Sequence, residues 1–360
     1  MNKSNPNKSI SLGKKNIGIN DPVFFIAEIG SNFDSDLSRA KDLIYMAKES
    51  GADAVKFQHY SADTLVSDFG FKNISNKSHQ SEWKKSVYET YKNASLRQDW
   101  TETLHDLCID AELSFLTSPY SFELIDLVDK YVPAFKVGSG DITWIEIIEY
   151  MASKGKPIIL AIGASSMSDV KRAINAVLNV TSDLIVLQCN TNYTASSNNY
   201  RFIQLNVIKE LQNMYPGLIT GLSDHMPGHS TVLGAVAMGA RVIEKHFTDS
   251  TSRIGPDHDF SMTPNTFKEM VDRTRELEDA LGDGLKKVED NEKETIVLQR
   301  RSIYAISDLN AGIKIQKKDL TVLRPCPTEG IEPFEIKKIE GRVLNKNIKS
   351  GQPIKWDDLL

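Results

Sequence analysis

Cysteine is scarce in this sequence. The three present, Cys108, Cys189 and Cys326, are far apart and odd in number. Neither a disulfide framework nor a four-cysteine zinc site follows from them, which points to a reducing compartment. Positive charge is not in excess either: 43 Lys and Arg against 48 Asp and Glu leave a formal charge of −5. That excludes a broad nucleic-acid surface, while a few lysines could still make one pocket positive for a small anion. No apolar run reaches membrane length, and residues 1–20 lack the apolar core of a signal peptide and read as a flexible segment. The expectation is a cytoplasmic protein with no membrane or nucleic-acid partner. A G-x-G-x-x-G turn is also missing, which argues against an open dinucleotide-binding sheet.

What is present is a rhythm. Short apolar runs at 24–30, 54–58, 114–118, 134–139, 157–163, 184–190, 219–225 and 241–248 alternate with amphipathic stretches such as 37–50, 98–112, 145–153 and 170–178. Strands alternating with helices pair in parallel through right-handed crossovers. Eight such units in about 250 residues predict an α/β fold, a (β/α)8 TIM barrel spanning 21–282. One insertion, 59–95, is too long for an ordinary connection and follows the second strand, where a barrel keeps its chemistry. It reads as a lid or a substrate-selecting loop. Residues 283–298, rich in Gly, Lys, Asp and Glu, read as a linker, and 299–360 as a small domain broken by Gly and Pro.

Most barrel strands end in groups capable of chemistry. His225 closes the seventh and His246 the eighth, with the Ala/Gly-rich helical stretch 233–239 between them. Neighbouring parallel strands would bring both imidazoles to one rim. The bland alternative is two rim histidines paired with Asp224 and Glu244. No third protein ligand is evident, so a metal here would occupy an open site completed by water and substrate oxygen, acting as a Lewis acid on a carbonyl. Lys56 and Lys136 lie within apolar runs, where an ammonium is costly unless paired. Each alone could be the partner of a barrel glutamate; converging with the hydroxyls of Ser118, Ser139 and Ser223, they suit a phosphate or carboxylate.

The blocks AEIGSN (27–32), GADAVKFQ (51–58), FLTSPYS (115–121), AFKVGSGDI (134–142), GKPIIL (155–160), GLSDH (221–225), GARVIEKHFT (239–248) and GPDHDFSM (255–262) resemble, in order and spacing, the bacterial sialic acid (nonulosonic acid) synthases. With RRS (300–302) and LRPCP (323–327), the small domain resembles their antifreeze-like (SAF) domain. The resemblance implies a metal-dependent condensation of phosphoenolpyruvate with an N-acylated amino sugar, giving a nine-carbon 2-keto acid and phosphate. It implies Mn²⁺ or Mg²⁺ on His225 and His246, and Glu28 as acid/base. Lys56, Lys136, Ser118, Ser139 and Ser223 would hold phosphoenolpyruvate. Gln58, Asp141, Tyr193 and Asp257 would face the sugar, joined by Arg324 from the other copy of a domain-swapped homodimer.

Three departures stand out. Phe33-Asp34-Ser35 replaces a His-Asn-Gly-like run, Ala161-Ile162-Gly163 replaces Ser-Thr-Gly, and Cys189-Asn190-Thr191-Asn192-Tyr193-Thr194 replaces a Cys-Thr-Ser/Asn-x-Tyr-Pro stretch. They are expected to alter phosphate and sugar contacts, with the hydroxyl contacts to phosphate either missing or moved to Ser165 and Ser166. A Schiff-base aldolase on Lys56 or Lys136 is the alternative enzyme. A catalytically silent sugar-binding protein on the same fold is the alternative of another class.

Overall fold

The computed structural model describes residues 5–74, 80, 83, 85–194 and 196–360, so part of the 59–95 insertion lies outside the described residues. The chain divides into two compact units, Met1–Gly282 and Asp283–Leu360. The first opens with an antiparallel hairpin, β1 (Ser9–Leu12) and β2 (Lys15–Gly18). Eight parallel strands follow: β3 (Phe24–Glu28), β4 (Ala54–His59), β5 (Ser114–Pro119), β6 (Phe135–Val137), β7 (Ile158–Ala161), β8 (Leu184–Cys189), β9 (Ile219–Asp224) and β10 (Val242–His246). Their order, β5-β4-β3-β10-β9-β8-β7-β6, is that of a barrel hydrogen-bonded everywhere except at the seam where β5 and β6 lie side by side. All eight predicted runs are strands; six are shorter than expected by one to three residues because the flanking positions turn into loops and helices, while β4 and β5 each run one residue further.

The strand period of two sorts each strand's side chains between two layers. Phe25, Val55, Phe115, Phe135 and Ile243 face outward into the larger core shared with the helices, among them Leu37–Glu49, Thr101–Asp110, Ile145–Ser153 and Met167–Leu178. Phe24, Ile26, Ala54, Leu116, Ile159, Leu187 and Val242 face inward and fill the barrel. Beyond this apolar plug, toward the C-terminal ends, the same inward positions become Glu28, Lys56, Ser118, Lys136, Ser223, Glu244 and His246. The barrel is thus apolar at its base and ionisable at its mouth.

From residue 9 onward the N-terminal segment packs against the barrel as a hairpin. Ile10, Leu12 and Ile17 of the hairpin are buried with the inward residues of the strands, stoppering the base of the barrel. Lys15 pairs with Asp53, whose other oxygen accepts the Phe25 N–H at 2.7 Å. The physical reason is alternation: Ile10 and Leu12 share one face of a four-residue strand, and Gly13, with φ of 64°, turns the chain back.

In the second unit, β11 (Ser302–Ala305) and β12 (Leu320–Leu323) pair antiparallel. A separate core of Ile303, Leu309, Ile315, Leu320, Ile331, Ile339, Leu344, Ile348 and Ile354 holds the unit together. The predicted linker is only partly a linker. Its residues are exposed except for the half-buried Ile296, yet a helix runs over Lys293–Gln299, and Val297 O accepts the Cys326 N–H, tying the helix to this unit.

Candidate active site

At the barrel mouth lies a cavity of about 430 Å³ lined by Lys56, Gln58, Ser118, Lys136, Ser139, Asp141, Tyr193, Ser223, His225, His246 and Asp257, all expected site residues. Glu28 sits just beneath, fully buried, bonded to two of the lining side chains. Arg324 belongs to the second unit, where it is exposed.

The floor is a charge network. Glu28 forms an ion pair with Lys56 and accepts a hydrogen bond from Gln58 Nε2 at 2.8 Å. Glu244 lies between the lysines, 3.5 Å from Lys136 Nζ and 3.9 Å from Lys56 Nζ, and accepts a hydrogen bond from Ser223 at 3.1 Å. The lysines converge, and each has a glutamate partner. Glu244 was missed as a site residue because a lone carboxylate in an apolar run carries no sign of its partners.

Burial pushes the Glu28 carboxyl up to about 7, against the pull of Lys56. For Glu244 burial acts in the same sense, but Lys136 and Lys56 prevail and hold it down to about 2. Burial also lowers Lys136. Lys56 is raised because its two carboxylates outweigh burial. Burial lifts Asp141 to about 6 and the Cys189 thiol to about 11, which leaves that cysteine inert at neutral pH.

The histidines come together as expected. Their ring centroids are 5.4 Å apart, and neither imidazole hydrogen-bonds to Asp224 or Glu244. Asp224 and Lys245 point outward, paired at 2.8 Å, and clamp the turn after β9 through Thr231 and the Met226 carbonyl. His225 Nδ1 donates to the Asn190 carbonyl at 2.9 Å, leaving Nε2 with its lone pair. His246 Nδ1 is buried without a hydrogen-bond partner and lies 3.9 Å from Asp257 Oδ2. Burial lowers the pKa of both rings, so both are neutral at pH 7.

An orphaned ring nitrogen beside a second imidazole fits a divalent cation. Among the described residues no group of three His, Cys, Asp or Glu forms a cage, so these two would hold it with water or substrate oxygen. Tyr193 and Phe260 wall the pair, their rings 4.4 Å from His225 and 4.9 Å from His246 respectively. Phe260 was also missed, since an aromatic in a loop gives no sign of what it covers.

Gly30 explains why the first strand ends as it does. Its φ is 54°, and a Cβ there would fall 2.7 Å from Asp257 Oδ2 and 3.2 Å from Glu28 Oε1. The outer wall comes from the 59–95 insertion, where Tyr60, Leu65, Val66, Phe71 and Tyr91 line the cavity. Within its described part, this segment forms helices over Ala62–Leu65, Asp68–Asn73 and Val87–Ala94.

Two expectations about the departures are corrected. Phe33 makes no site contact. It is buried in the outer core, 6.3 Å from both the Phe57 and Trp100 rings, because β3 has ended and the chain has turned toward the helices. Of the two alternatives for the hydroxyls after β7, the move to Ser165 and Ser166 does not hold: Ser165 donates to the Ile162 carbonyl at 2.6 Å, and Ser166 caps the helix Met167–Leu178. Ser118 Oγ, buried without a partner, remains a ready donor to an anion.

Residues 43–286 match the NeuB family and residues 300–360 the SAF domain. The chain is 39% identical over 353 residues to the N,N'-diacetyllegionaminic acid synthase of Legionella pneumophila, covering 96% of this chain and 97% of that one. It is 30% identical to the pseudaminic acid synthase of Helicobacter pylori, covering 94% and 98%. Its fold matches the crystal structure of the N-acetylneuraminic acid synthetase of Leptospira borgpetersenii serovar Hardjo-bovis in complex with citrate, with a TM-score of 0.70 and 28% identity over 81% of this chain and 95% of that one. With the barrel, its ionisable mouth and the second domain all accounted for, the chain belongs to the NeuB family and carries a SAF domain.

Proposed function

We propose that the protein condenses phosphoenolpyruvate with an N-acylated amino sugar to give a nine-carbon 2-keto sugar acid and inorganic phosphate. The observation that carries this is the meeting of Lys56 and Lys136 with the histidine pair inside one cavity. A dianionic donor would sit against the lysines, with Ser118, Ser139 and Ser223 supplying hydroxyls. Gln58, Asp141, Tyr193 and Asp257 would orient the open-chain sugar so that its aldehyde carbon meets C3 of phosphoenolpyruvate. Glu28, held up to about 7, suits a group that accepts a proton from the water adding at C2 before phosphate leaves by C–O cleavage. Mn²⁺ or Mg²⁺ held by His225 and His246 would supply Lewis-acid polarisation of the sugar carbonyl.

The apolar wall of Leu65, Val66, Phe71 and Tyr91 favours an acceptor with methyl-bearing substituents, such as a di-N-acylated 6-deoxy hexose, over a fully hydroxylated one. The names of the Legionella and Helicobacter relatives support that choice. We also propose a domain-swapped homodimer in which Arg324 of each copy serves the other's acceptor. A cytoplasmic location agrees with the lack, among the described residues, of any helix long and apolar enough to cross a membrane.

The test is phosphate release from phosphoenolpyruvate across a panel of N-acyl hexosamines, with and without chelator. The proposal expects release that depends on both substrates and stops on chelation. A Schiff-base aldolase is favoured by one observation, the burial-lowered Lys136. It would instead ignore chelator and be killed by borohydride with a keto acid. Sugar binding without phosphate release would leave only a binding protein.

A further inference from the structure

The loop between His246 and the helix Pro264–Leu281 carries Asp257 and Phe260, and its ends are pinned. Met262 N–H donates to the His246 carbonyl at 2.7 Å, and Thr248 N–H to the Met262 carbonyl at 2.9 Å. Between the pins stands His258, fully buried. Its Nδ1 lies 2.7 Å from Thr248 Oγ1, on the loop's first residues. Its Nε2 lies 3.0 Å from Asp34 Oδ1, on the connection after β3. A carboxylate only accepts, so the Nε2 proton points to Asp34. Asp34 is itself held at φ of 51° and ion-paired to Arg39 Nε at 3.1 Å, and Arg39 also grips Asp249. Asp34 falls in one of the departures noted above, where the family run carries Asn. Gly255 marks how tightly the loop wraps the ring: a Cβ there would fall 2.6 Å from His258 Cδ2.

We infer that His258 is a positioning residue. Clamped between Thr248 and Asp34, it sets the loop so that Asp257 reaches the acceptor and Phe260 packs on the two imidazoles. Three bonds complete the placement. Asp257 Oδ2 accepts from the Ser31 hydroxyl at 2.8 Å, Ser261 Oγ donates to the Asp257 carbonyl at 2.5 Å, and Asn32 Nδ2 donates to Ser261 Oγ at 2.9 Å. His258 touches no reacting group; it acts through Asp257, the residue before it, and Phe260, two residues after it. The inference rests on reading Asp257 as an acceptor contact.

The experiment compares Thr248→Val, Thr248→Ser and Asp34→Ala in the full chain, with KM measured separately for each substrate and amide hydrogen exchange followed over 249–262. Thr248→Val keeps the shape and removes the hydroxyl; Thr248→Ser keeps the hydroxyl. Thr248→Val and Asp34→Ala are expected to raise KM for the sugar at least about fivefold, since each removes its bond to His258, Thr248→Val also the hydroxyl's bonds to Ser250 and Asp34→Ala the ion pair to Arg39. KM for phosphoenolpyruvate should stay within about twofold of wild type, since the floor lysines are untouched. Exchange over the loop should quicken in both variants, and Thr248→Ser should restore both readouts. Equal loss toward both substrates, or Thr248→Ser as impaired as Thr248→Val, would overturn the clamp. A wild-type chain that turns over no phosphoenolpyruvate with any N-acyl hexosamine would sink the proposed function instead, and the exchange comparison would still decide the clamp.

Discussion

Lys136 Nζ and Glu244 Oε1 face each other 3.5 Å apart at the floor of the barrel mouth, both almost fully buried. The same carboxylate reaches Lys56, so one carboxylate is shared by two ammoniums, while Glu28 takes the other side of Lys56. A buried charge without its partner is strongly destabilising. Glu244→Gln leaves two ammoniums with one carboxylate, and the unfolding free energy should fall by about 3 kcal/mol. Inorganic phosphate, meanwhile, should bind at least about tenfold more tightly in calorimetric titration, since a competing anion is gone. Weaker phosphate binding would mean that the lysines do not form the anion site.

The imidazole pair makes a second prediction. His225→Ala or His246→Ala should lower turnover by at least about a hundredfold and leave the remainder insensitive to chelator, with the circular dichroism spectrum unchanged. Near-normal, chelator-sensitive turnover in either variant would remove the metal assignment.

The hairpin stopper predicts an effect on stability alone. Leu12 is completely buried against the barrel's inward residues. Leu12→Ala should destabilise by about 2–5 kcal/mol, as for other buried leucines. Lys14→Ala, on the exposed turn, should change stability by less than about 0.5 kcal/mol. Urea unfolding of both variants checks this, and equal midpoints would return the segment to the status of a tail.

His59 contributes to the acid limit, in the same sense as the buried His225 and His246. Burial lowers its pKa to about 4 from 6.5 in the open chain, and the ring lies between the Thr117 and Thr101 hydroxyls at 2.7 and 2.9 Å. Between those values the unfolded chain binds the proton and the folded chain does not, so stability falls as pH drops from 6.5 toward 4. The window corresponds to about 3 kcal/mol. His59→Gln should flatten that part of the stability profile. An unchanged slope between pH 6.5 and 4 would show that other groups set it.

The barrel was legible because its strands are short apolar runs at regular spacing, and the mouth because alternate residues on one strand share a face. Ser223 with His225, and Glu244 with His246, obey that alternation, so strand assignment alone aimed them inward. The hairpin was illegible because two four-residue strands among lysines and asparagines give too little periodicity to separate them from a tail. The hydroxyls of Ser165 and Ser166 are taken up locally: Ser166, just before a helix, satisfies that helix's free N–H groups, and Ser165 donates to the Ile162 carbonyl.

Strand count, the two lysines, the two histidines and the second domain followed from residue order, because each depends on periodicity or on a motif contained in a few residues. The partners depended on tertiary structure. Glu244 finds Lys136 and Lys56 from strands far apart in the chain, and His258 finds Asp34 across 224 positions. Charge pairing and hydrogen bonding act over a few ångströms in space and carry no trace of sequence separation. Closing the barrel decided which buried groups became neighbours.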